Sequence, residues 1–365
     1  MKSRERILAA LNGWDMDRVP MCEIGVWPET EERWRREGLP NGVSVDEYFG
    51  FDKIEFFSYD PSLMLPSRVL EETETQIVLT DGDGCTYRKW KGKQSHPLFI
   101  KSSITTIDDW NNLRHNLTPD MSRFEDNKLD CIFATPLRER PTDKYKKARA
   151  DDEFTVLVPT EPCWYYLRLL GEEEALCNIA LDPDFTEQII SDYTDFTISL
   201  IKCIISAGYK FDALWVFSDL CYKNGMLFSP EFFNQRIAPY QKRIFDLAKE
   251  NGMKVIYHSD GNVHDLIPLL LPVGVDCMQP LEARAGNDVG SYLKLYKEKL
   301  SFIGNINADV LTAGKEKVEE EITSKIRCAK PSRRYIFHSD HSIPDIVSFF
   351  EYEYAINFAK QLIKY

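Results

Sequence analysis

Residues Lys254–Asp260 read KVIYHSD, and residues Arg334–Asp340 read RYIFHSD. Each is a short β-type run that is apolar along its length and ends in the same polar tripeptide. Other apolar runs bounded by turn residues flank this pair: RVPMCEIG (18–25), DKIEFFSYD (52–60), FTVLVPTEP (154–162), DALWVFSD (212–219), VDCMQPLE (275–282) and LSFIGNIN (300–307). From Phe154 onward they alternate with stretches of helical periodicity, among them Pro230–Glu250, Val263–Leu271, Val289–Lys297, Lys315–Arg327 and Pro344–Lys364. Gly252, Gly274 and Gly314 stand where helices end or loops turn. Apolar strands alternating with helices imply βαβ units and a parallel sheet covered on both faces. Eight such strands is the number that closes a (β/α)8 TIM-type barrel. A doubly wound open sheet competes with this reading, but no GxGxxG follows an early strand.

The strands turn polar only at their C-terminal ends. The tips carry Glu23, Tyr59 and Asp60, Glu161, Ser218 and Asp219, His258 to Asp260, Glu282, Asn305 and Asn307, and His338 to His341. A barrel gathers all its C-terminal tips at one mouth, where its active site lies. Two His-Ser-Asp endings therefore predict two strands delivering imidazole and carboxylate to one cavity. Taken singly, each group has a plain structural role available. A histidine at a strand end is most often a hydrogen-bonded structural residue, and His96, His115 and His264 read that way. Asp260 before Gly-Asn could cap a helix, and Asp219 and Glu282 could orient loops. Five or six ionisable groups at one mouth exceed what capping requires, and their mutual interaction shifts pKa values as acid–base and metal sites do.

The bulk numbers narrow the classes. The 365 residues are 43% hydrophobic and 28% charged, with a formal net charge of -13. That is a globular composition with a surface that repels phosphate backbones, so nucleic acid is excluded as a partner, as is a polybasic membrane contact. The nine cysteines (Cys22, Cys85, Cys131, Cys163, Cys177, Cys203, Cys221, Cys277 and Cys328) contain no CxxC pair and lie mostly in apolar runs. They imply a reducing cytoplasm without disulfides. MKSRERILAALNG is an amphipathic helix pattern and lacks the apolar core of a signal peptide. The most apolar segment, Leu266–Val275, is short and broken by Pro268 and Pro272, so no membrane span is expected. Within a single domain over residues 1–365, RVLEETETQIVLTDGDGCTYRKWKG (68–92) alternates around Asp81-Gly82-Asp83-Gly84 as a β-hairpin. Residues 108–150 read as surface helices and loops, placing a hairpin and helical insertion over about 61–150.

The opening SRERILAALNGWDMDRVPM and the block from Val255 to Leu311, with its His-Ser-Asp-Gly, Pro-Leu-Glu, Ala-Gly and Gly-Asn-Ile steps, resemble the uroporphyrinogen decarboxylase superfamily. The likeness is scattered over nearly the whole chain and is most specific between Pro230 and Leu311. It implies a (β/α)8 barrel and either of two chemistries: decarboxylation of porphyrinogen acetates without a cofactor, or zinc-assisted methyl transfer to or from a corrinoid protein.

The decarboxylases carry an Arg-Gln-Ala-Gly-Arg segment after the first strand, whose arginines hold substrate carboxylates. Here Glu23 to Glu29, EIGVWPE, occupies that place without an arginine. Asp60 stands where the family's catalytic aspartate is found, Arg168 falls near its tyrosine, and His341 matches its late histidine. The methyltransferases hold zinc on His-x-Cys and a late Cys. Here His258-Ser259-Asp260 has Asp for Cys, and His341 lies near the last ligand position.

The resemblance therefore implies a methyltransferase acting on a small O- or N-methylated compound with a corrinoid carrier. His258, Asp260 and His341 would be metal ligands or acids, with zinc as the metal and Glu282 as ligand or orienting group. Asp60 and Asp219 would contact substrate, and Glu23, Tyr59 and Asn305 would line its site. A decarboxylase working through Asp60 and His341, and a tetrapyrrole- or corrinoid-binding protein without turnover, are the alternatives.

Overall fold

A computed structural model describes residues 1–91, 97–126 and 140–365. Its centre is a curled sheet of seven parallel strands in chain order: Ile54–Ser58, Phe154–Val158, Ala213–Phe217, Lys254–His258, Cys277–Gln279, Ser301–Ile303 and Tyr335–Ile336. Every adjacent pair is parallel, as strands joined by crossover helices must be. The fold is α/β of TIM type.

The first expected strand, 18–25, forms isolated bridges instead of a ladder. Met21 bridges Phe337 in parallel, Phe337 N–H donates to Pro20 O at 2.8 Å, and Cys22 N–H donates to Phe337 O at 3.1 Å. On the other side Asp52 N–H donates to Met21 O. The segment thus fills the gap between the last strand and the first. A regular ladder fails because Pro20 has no N–H and the Met21 amide is taken by the Asp52 carboxylate at 2.9 Å.

Alternation sorts the side chains into two cores. Phe154, Val156, Ala213, Trp215, Ile256, Cys277, Ile303 and Ile336 pack inside the barrel with Cys22, while their neighbours face the surrounding helices. Helix Ser3–Asn12 closes the lower end, adding Ile7, Ala9, Ala10 and Leu11 to the inner core. Its place at the strands' N-terminal ends follows from two anchors: Ser301 Oγ donates to Ala10 O, and Arg4 pairs with Asp212 at 2.8 Å. Both partners stand at or just before the start of a strand. The C-terminal end is therefore the open one.

Several helices depart from the periodic stretches, each at a proline or a cap. Only Ile267–Leu270 is α-helical within Val263–Leu271, with Pro268 in its first turn, where its missing N–H does no harm. The last helix begins at Phe349, after a Ser348–Glu351 capping box, and not at Pro344. Phe233–Ile237 forms a π-turn ahead of Pro239 before Ala238–Glu250 resumes α-geometry. The expected hairpin is part of a four-stranded antiparallel sheet: Arg68–Glu72, Gln76–Thr80, Thr86–Trp90 and Leu98–Lys101. The insertion contributes helices Ile107–Leu113, Ser122–Glu125 and Pro141–Ala150. Gly92, His96 and Cys131 lie outside the described residues, and every described cysteine is unpaired. Among the described residues no helix is long and apolar enough to cross a membrane.

Candidate functional site

Strand alternation carries Ile256 into the barrel, so His258, two residues on, faces the same interior at the open end. Tyr257 faces the helices, where its hydroxyl donates to Ser218 Oγ at 2.8 Å and accepts from Gln241 at 3.0 Å. Gln241 and Ser218 both donate to Glu161, which also caps helix Pro162–Leu170 by accepting the Trp164 amide. Glu161 is thus buried behind the site as a hub joining two strand tips to two helices.

The His258 ring is fixed from both sides. Its Nδ1 bonds Gln279 Oε1, so Nδ1 carries a proton. Its Nε2 lies 3.3 Å from Asp219 Oδ1 and 3.9 Å from Asp260 Oδ1. Asp219 Oδ1 also accepts the Asp260 amide at 3.2 Å. One ligand atom from each of Asp219, His258 and Asp260 falls within 4.8 Å of the others. Asp260 Oδ1 is buried and has no hydrogen-bond partner among the described residues. Its other oxygen is 3.9 Å from Nε2 of the half-exposed His341.

Electrostatics follow from this packing. Burial disfavours the His258 imidazolium, but the hydrogen bond and charge of Asp219, with the charge of Asp260, outweigh it and raise its pKa to about 9. Burial likewise works against Asp219, yet His258 holds it below its ordinary value. Asp260 is raised by burial, which His258 only partly offsets and the charge of Asp219 reinforces.

The other expected residues separate into groups. Glu282 borders the cluster: its Oε2 accepts the Gly261 amide at 3.0 Å. Gly261 itself, at φ +79°, sits so close to Tyr222 that a Cβ would fall 2.7 Å from the carbonyl oxygen. Glycine is what lets the Asp260 loop pack there. Asp60 is buried elsewhere, its carboxylate accepting the Ser62 amide and its carbonyl accepting from Arg123. Among the described residues no hydrogen bond or ion pair joins Asp60 to His341. Tyr59 points outward against Phe196 and accepts the Thr160 amide. Asn305 is fully buried: it donates to Leu281 and Asn287 carbonyls and accepts from Val289 N–H and Lys325. That leaves Asn305 no free group for a substrate.

The second His-Ser-Asp behaves differently from the first. His338 is buried with Glu23, their Nε2 and Oε1 3.1 Å apart. Asp340 accepts the Ala283 and Ala308 amides, both at 2.9 Å, and so ties two loops together.

Sequence reasoning missed Trp164, Leu227 and Phe99 around the cluster's opening and reached Arg168 only through the family resemblance. A cavity of about 370 Å³ touches Asp219 and is lined by Trp164, Arg168, Leu227 and Phe99 among others. Trp164 and Arg168 are four apart on a helix that starts at a strand tip, a spacing that puts both on one face. That was the readable signal. Phe99 comes from the antiparallel sheet, which no strand-tip argument reaches. A second cavity, about 500 Å³, is lined by Glu23, Asp46, Glu31 and Arg35. Arg35 there is held by Glu31 at 2.6 Å.

Comparison with known proteins agrees with this architecture. The family model described as Uroporphyrinogen decarboxylase (URO-D) matches residues 169–362, just over half of the chain. A uroporphyrinogen decarboxylase of Prochlorococcus marinus is 24% identical over 206 residues, covering 54% of this chain and 56% of its own length. One from Carboxydothermus hydrogenoformans is 26% identical over 161 residues, covering 44% and 43%. The chain thus spans about half the length of the curated relatives it matches. A methyltransferase from Methanosarcina mazei shares the fold over 99% of both chains, with a TM-score of 0.61 and 15% identity.

Proposed function

Because the chain belongs to the uroporphyrinogen decarboxylase family, whose members are enzymes, we propose that it is a methyltransferase of that superfamily. It moves a methyl group between a small O- or N-methylated compound and a corrinoid carried by a partner protein. The observation that carries this reading is the Asp219–His258–Asp260 cluster, with its orphaned Asp260 oxygen, opening on the cavity beside Asp219.

One imidazole and two carboxylates suit a borderline or hard divalent cation, and a buried oxygen without a hydrogen-bond partner is where a ligand bond would satisfy it. Asp219, His258 and Asp260 would hold the ion, zinc being the one the resemblance implies. Bound there, it would act as a Lewis acid on the methylated heteroatom. The residues have their own part. Gln279 holds the His258 ring in register, Asp219 aligns Nε2, and Glu282 holds the Gly261 backbone beside them. As the heteroatom–methyl bond breaks, the heteroatom keeps the electron pair and takes a proton from solvent, because His258 Nε2 would be engaged by the ion and its Nδ1 proton is held by Gln279. The methyl is received by the electron pair of the reduced acceptor, so charge and atoms balance.

A decarboxylase is the second reading, favoured by the names of the two curated relatives. Against it, the cavity at Glu23 offers one guanidinium among its described lining residues, Arg35, which Glu31 already holds at 2.6 Å, where a polyanionic porphyrinogen needs several. Two measurements separate the readings: elemental analysis of protein purified without chelators, and incubation of O- and N-methylated donors with a reduced corrinoid. About one divalent ion per chain and formation of a methylated corrinoid support the proposal. Release of CO₂ from a carboxylated substrate with no metal and no methyl transfer rejects it.

A further inference from the structure

We propose that Asp83 positions one wall of the cavity beside Asp219: it latches the four-stranded antiparallel sheet onto helix Pro162–Leu170, and loss of its proton loosens the latch. The inference concerns the cavity and holds whichever reaction the site serves. The cavity lies between the two elements, with Tyr87, Leu98 and Phe99 on the sheet side and Trp164, Leu167 and Arg168 on the helix. A shift of the sheet therefore changes its width.

The joint is built from alternation. Cys85 and Tyr87 are two apart where strand Thr86–Trp90 begins, so they share one face. Both meet the helix: Cys85 Sγ lies 3.2 Å from Leu169 O, and Tyr87 OH donates to Arg168 O at 3.3 Å. The turn before them, 81–84, adds Asp83, whose Oδ2 accepts the Tyr165 hydroxyl. Tyr165 stands three and four residues before Arg168 and Leu169, so the contacts follow one face of the helix. Phe99 completes the seat over Gly171, where a Cβ would collide with its ring. Few of the sheet's described residues are buried. Strand Arg68–Glu72 is exposed throughout, Gln76–Thr80 is half-buried, Thr86–Trp90 is buried at Thr86 and Tyr87, and Leu98–Lys101 is partly covered at Phe99. An element attached by so few residues opens more easily than the barrel.

Asp83 is the group at this joint that a proton can switch. It is 5% exposed, and carboxylates from two elements face it. Asp81, in its own turn, accepts the Asp83 and Cys85 amides at 3.0 Å, and Asp60 follows strand Ile54–Ser58. Arg123 also faces this side, its guanidinium bonded to the carbonyls of Asn116, Thr118, Asp60 and Ser62. Cys85 is a neutral thiol, raised by burial, and the Tyr193 ring lies 4.6 Å from that of Tyr165. Burial first, then the charges of Asp81 and Asp60, push the Asp83 carboxyl up to about 7, against hydrogen bonds from Tyr165 and the Leu63 amide. Moving the sheet away exposes Asp83 to water, where its ordinary value is 3.8. Seating therefore takes up a proton. The latch is tightest below about pH 4, weakens as pH rises to about 7, and is level above that.

The test is hydrogen–deuterium exchange of the purified full chain from pH 5 to about 8.5, each rate corrected for its intrinsic pH dependence. Protection of the amides in Thr86–Trp90 and Leu98–Lys101 is expected to fall about tenfold per pH unit from 5 to about 7 and then stay level. Strand Lys254–His258, inside the barrel wall, is the control and should hold its protection. Asp83→Asn keeps the shape without the charge, so its sheet protection should not change with pH. Tyr165→Phe should lower sheet protection about two- to tenfold at pH 5, the worth of one hydrogen bond. Thermal melts show whether each variant folds, and the wild-type profile is decisive without them. Three results overturn the proposal: flat wild-type protection between pH 5 and 7, a slope that survives in folded Asp83→Asn, or a fall shared equally by Lys254–His258.

Discussion

His338 Nε2 lies 3.1 Å from Glu23 Oε1, both side chains are almost fully buried, and neither carries charge at neutral pH. Burial pushes Glu23 up to about 8, although Ser339 and Tyr352 donate to it, and pushes His338 down to about 4. The ring accepts the Ile24 amide at Nε2, so its proton is on Nδ1, facing the Ser339 carbonyl. This neutral pair fastens the irregular first segment to the last strand, where the barrel closes.

The pair makes stability depend on pH in a defined direction. Glu23 has a raised folded pKa, so its contribution is fully present below the unfolded value near 4.5 and is lost as pH rises to about 8. His338 acts oppositely: its folded pKa is depressed, so stability falls as pH drops from about 6.5 towards 4. Glu23→Gln keeps a neutral side chain and removes the first effect. Melting curves between pH 5 and 9 should show the variant gaining on wild type up to about pH 8 and then running parallel. A gap that stays constant across that range rejects the neutral assignment of Glu23.

His258→Ala should abolish the cluster's chemistry and leave the fold intact, because its ring is bounded by side chains at the open end. Turnover should fall about 10²–10⁴-fold, the usual worth of a positioned acid or ligand. Asp260→Asn should keep the fold and lower cation affinity about 10–100-fold. Elemental analysis beside steady-state assays checks both. Unchanged turnover in His258→Ala would remove the cluster from the mechanism.

Asp340→Ala should destabilise more than it alters chemistry. The substitution leaves the Ala283 and Ala308 amides without their acceptor, at about 1–3 kcal/mol for each buried donor. A total loss of about 2–5 kcal/mol is expected in urea denaturation. A loss below about 0.5 kcal/mol, typical of surface positions, would contradict the bridging role.

Gly261→Ala should disturb the cluster through the backbone. The added methyl meets Tyr222 and Cys221 backbone atoms at 2.7–2.8 Å, and φ is +79°. A cost of about 1–3 kcal/mol is expected from strain of this kind, with weaker cation binding as Asp260 shifts. Melting temperature together with metal content is the readout. A variant with wild-type values in both would show that the loop yields freely.

Much of this was legible in the chain. Period-two alternation from Ile256 to His258 and from Ile336 to His338 already turns both histidines inward. Counted from Ile54 and Phe56, which pack with the inner core, the same alternation turns Tyr59 away from the barrel interior, which its position at a strand tip had obscured. Asp219 and Asp260 stood at neighbouring tips and came together. Asp60, Asn305 and Asp340 also stood at tips, but their polar atoms are consumed by backbone amides and carbonyls that only the folded loops supply. Trp164 and Phe99 escaped notice because they reach the mouth from a helix and from a separate sheet.

The order of the strands and the polarity of their C-terminal ends were set by local pattern, since alternation and turn residues act over a few positions. What distinguishes the two identical tripeptides was decided by tertiary structure. His258 gained Asp219 and Asp260 at a half-open mouth, while His338 was sealed beside Glu23. Charge depends on desolvation and on partners brought in from distant parts of the chain, so the same three letters hold a proton at one strand end and release it at the other.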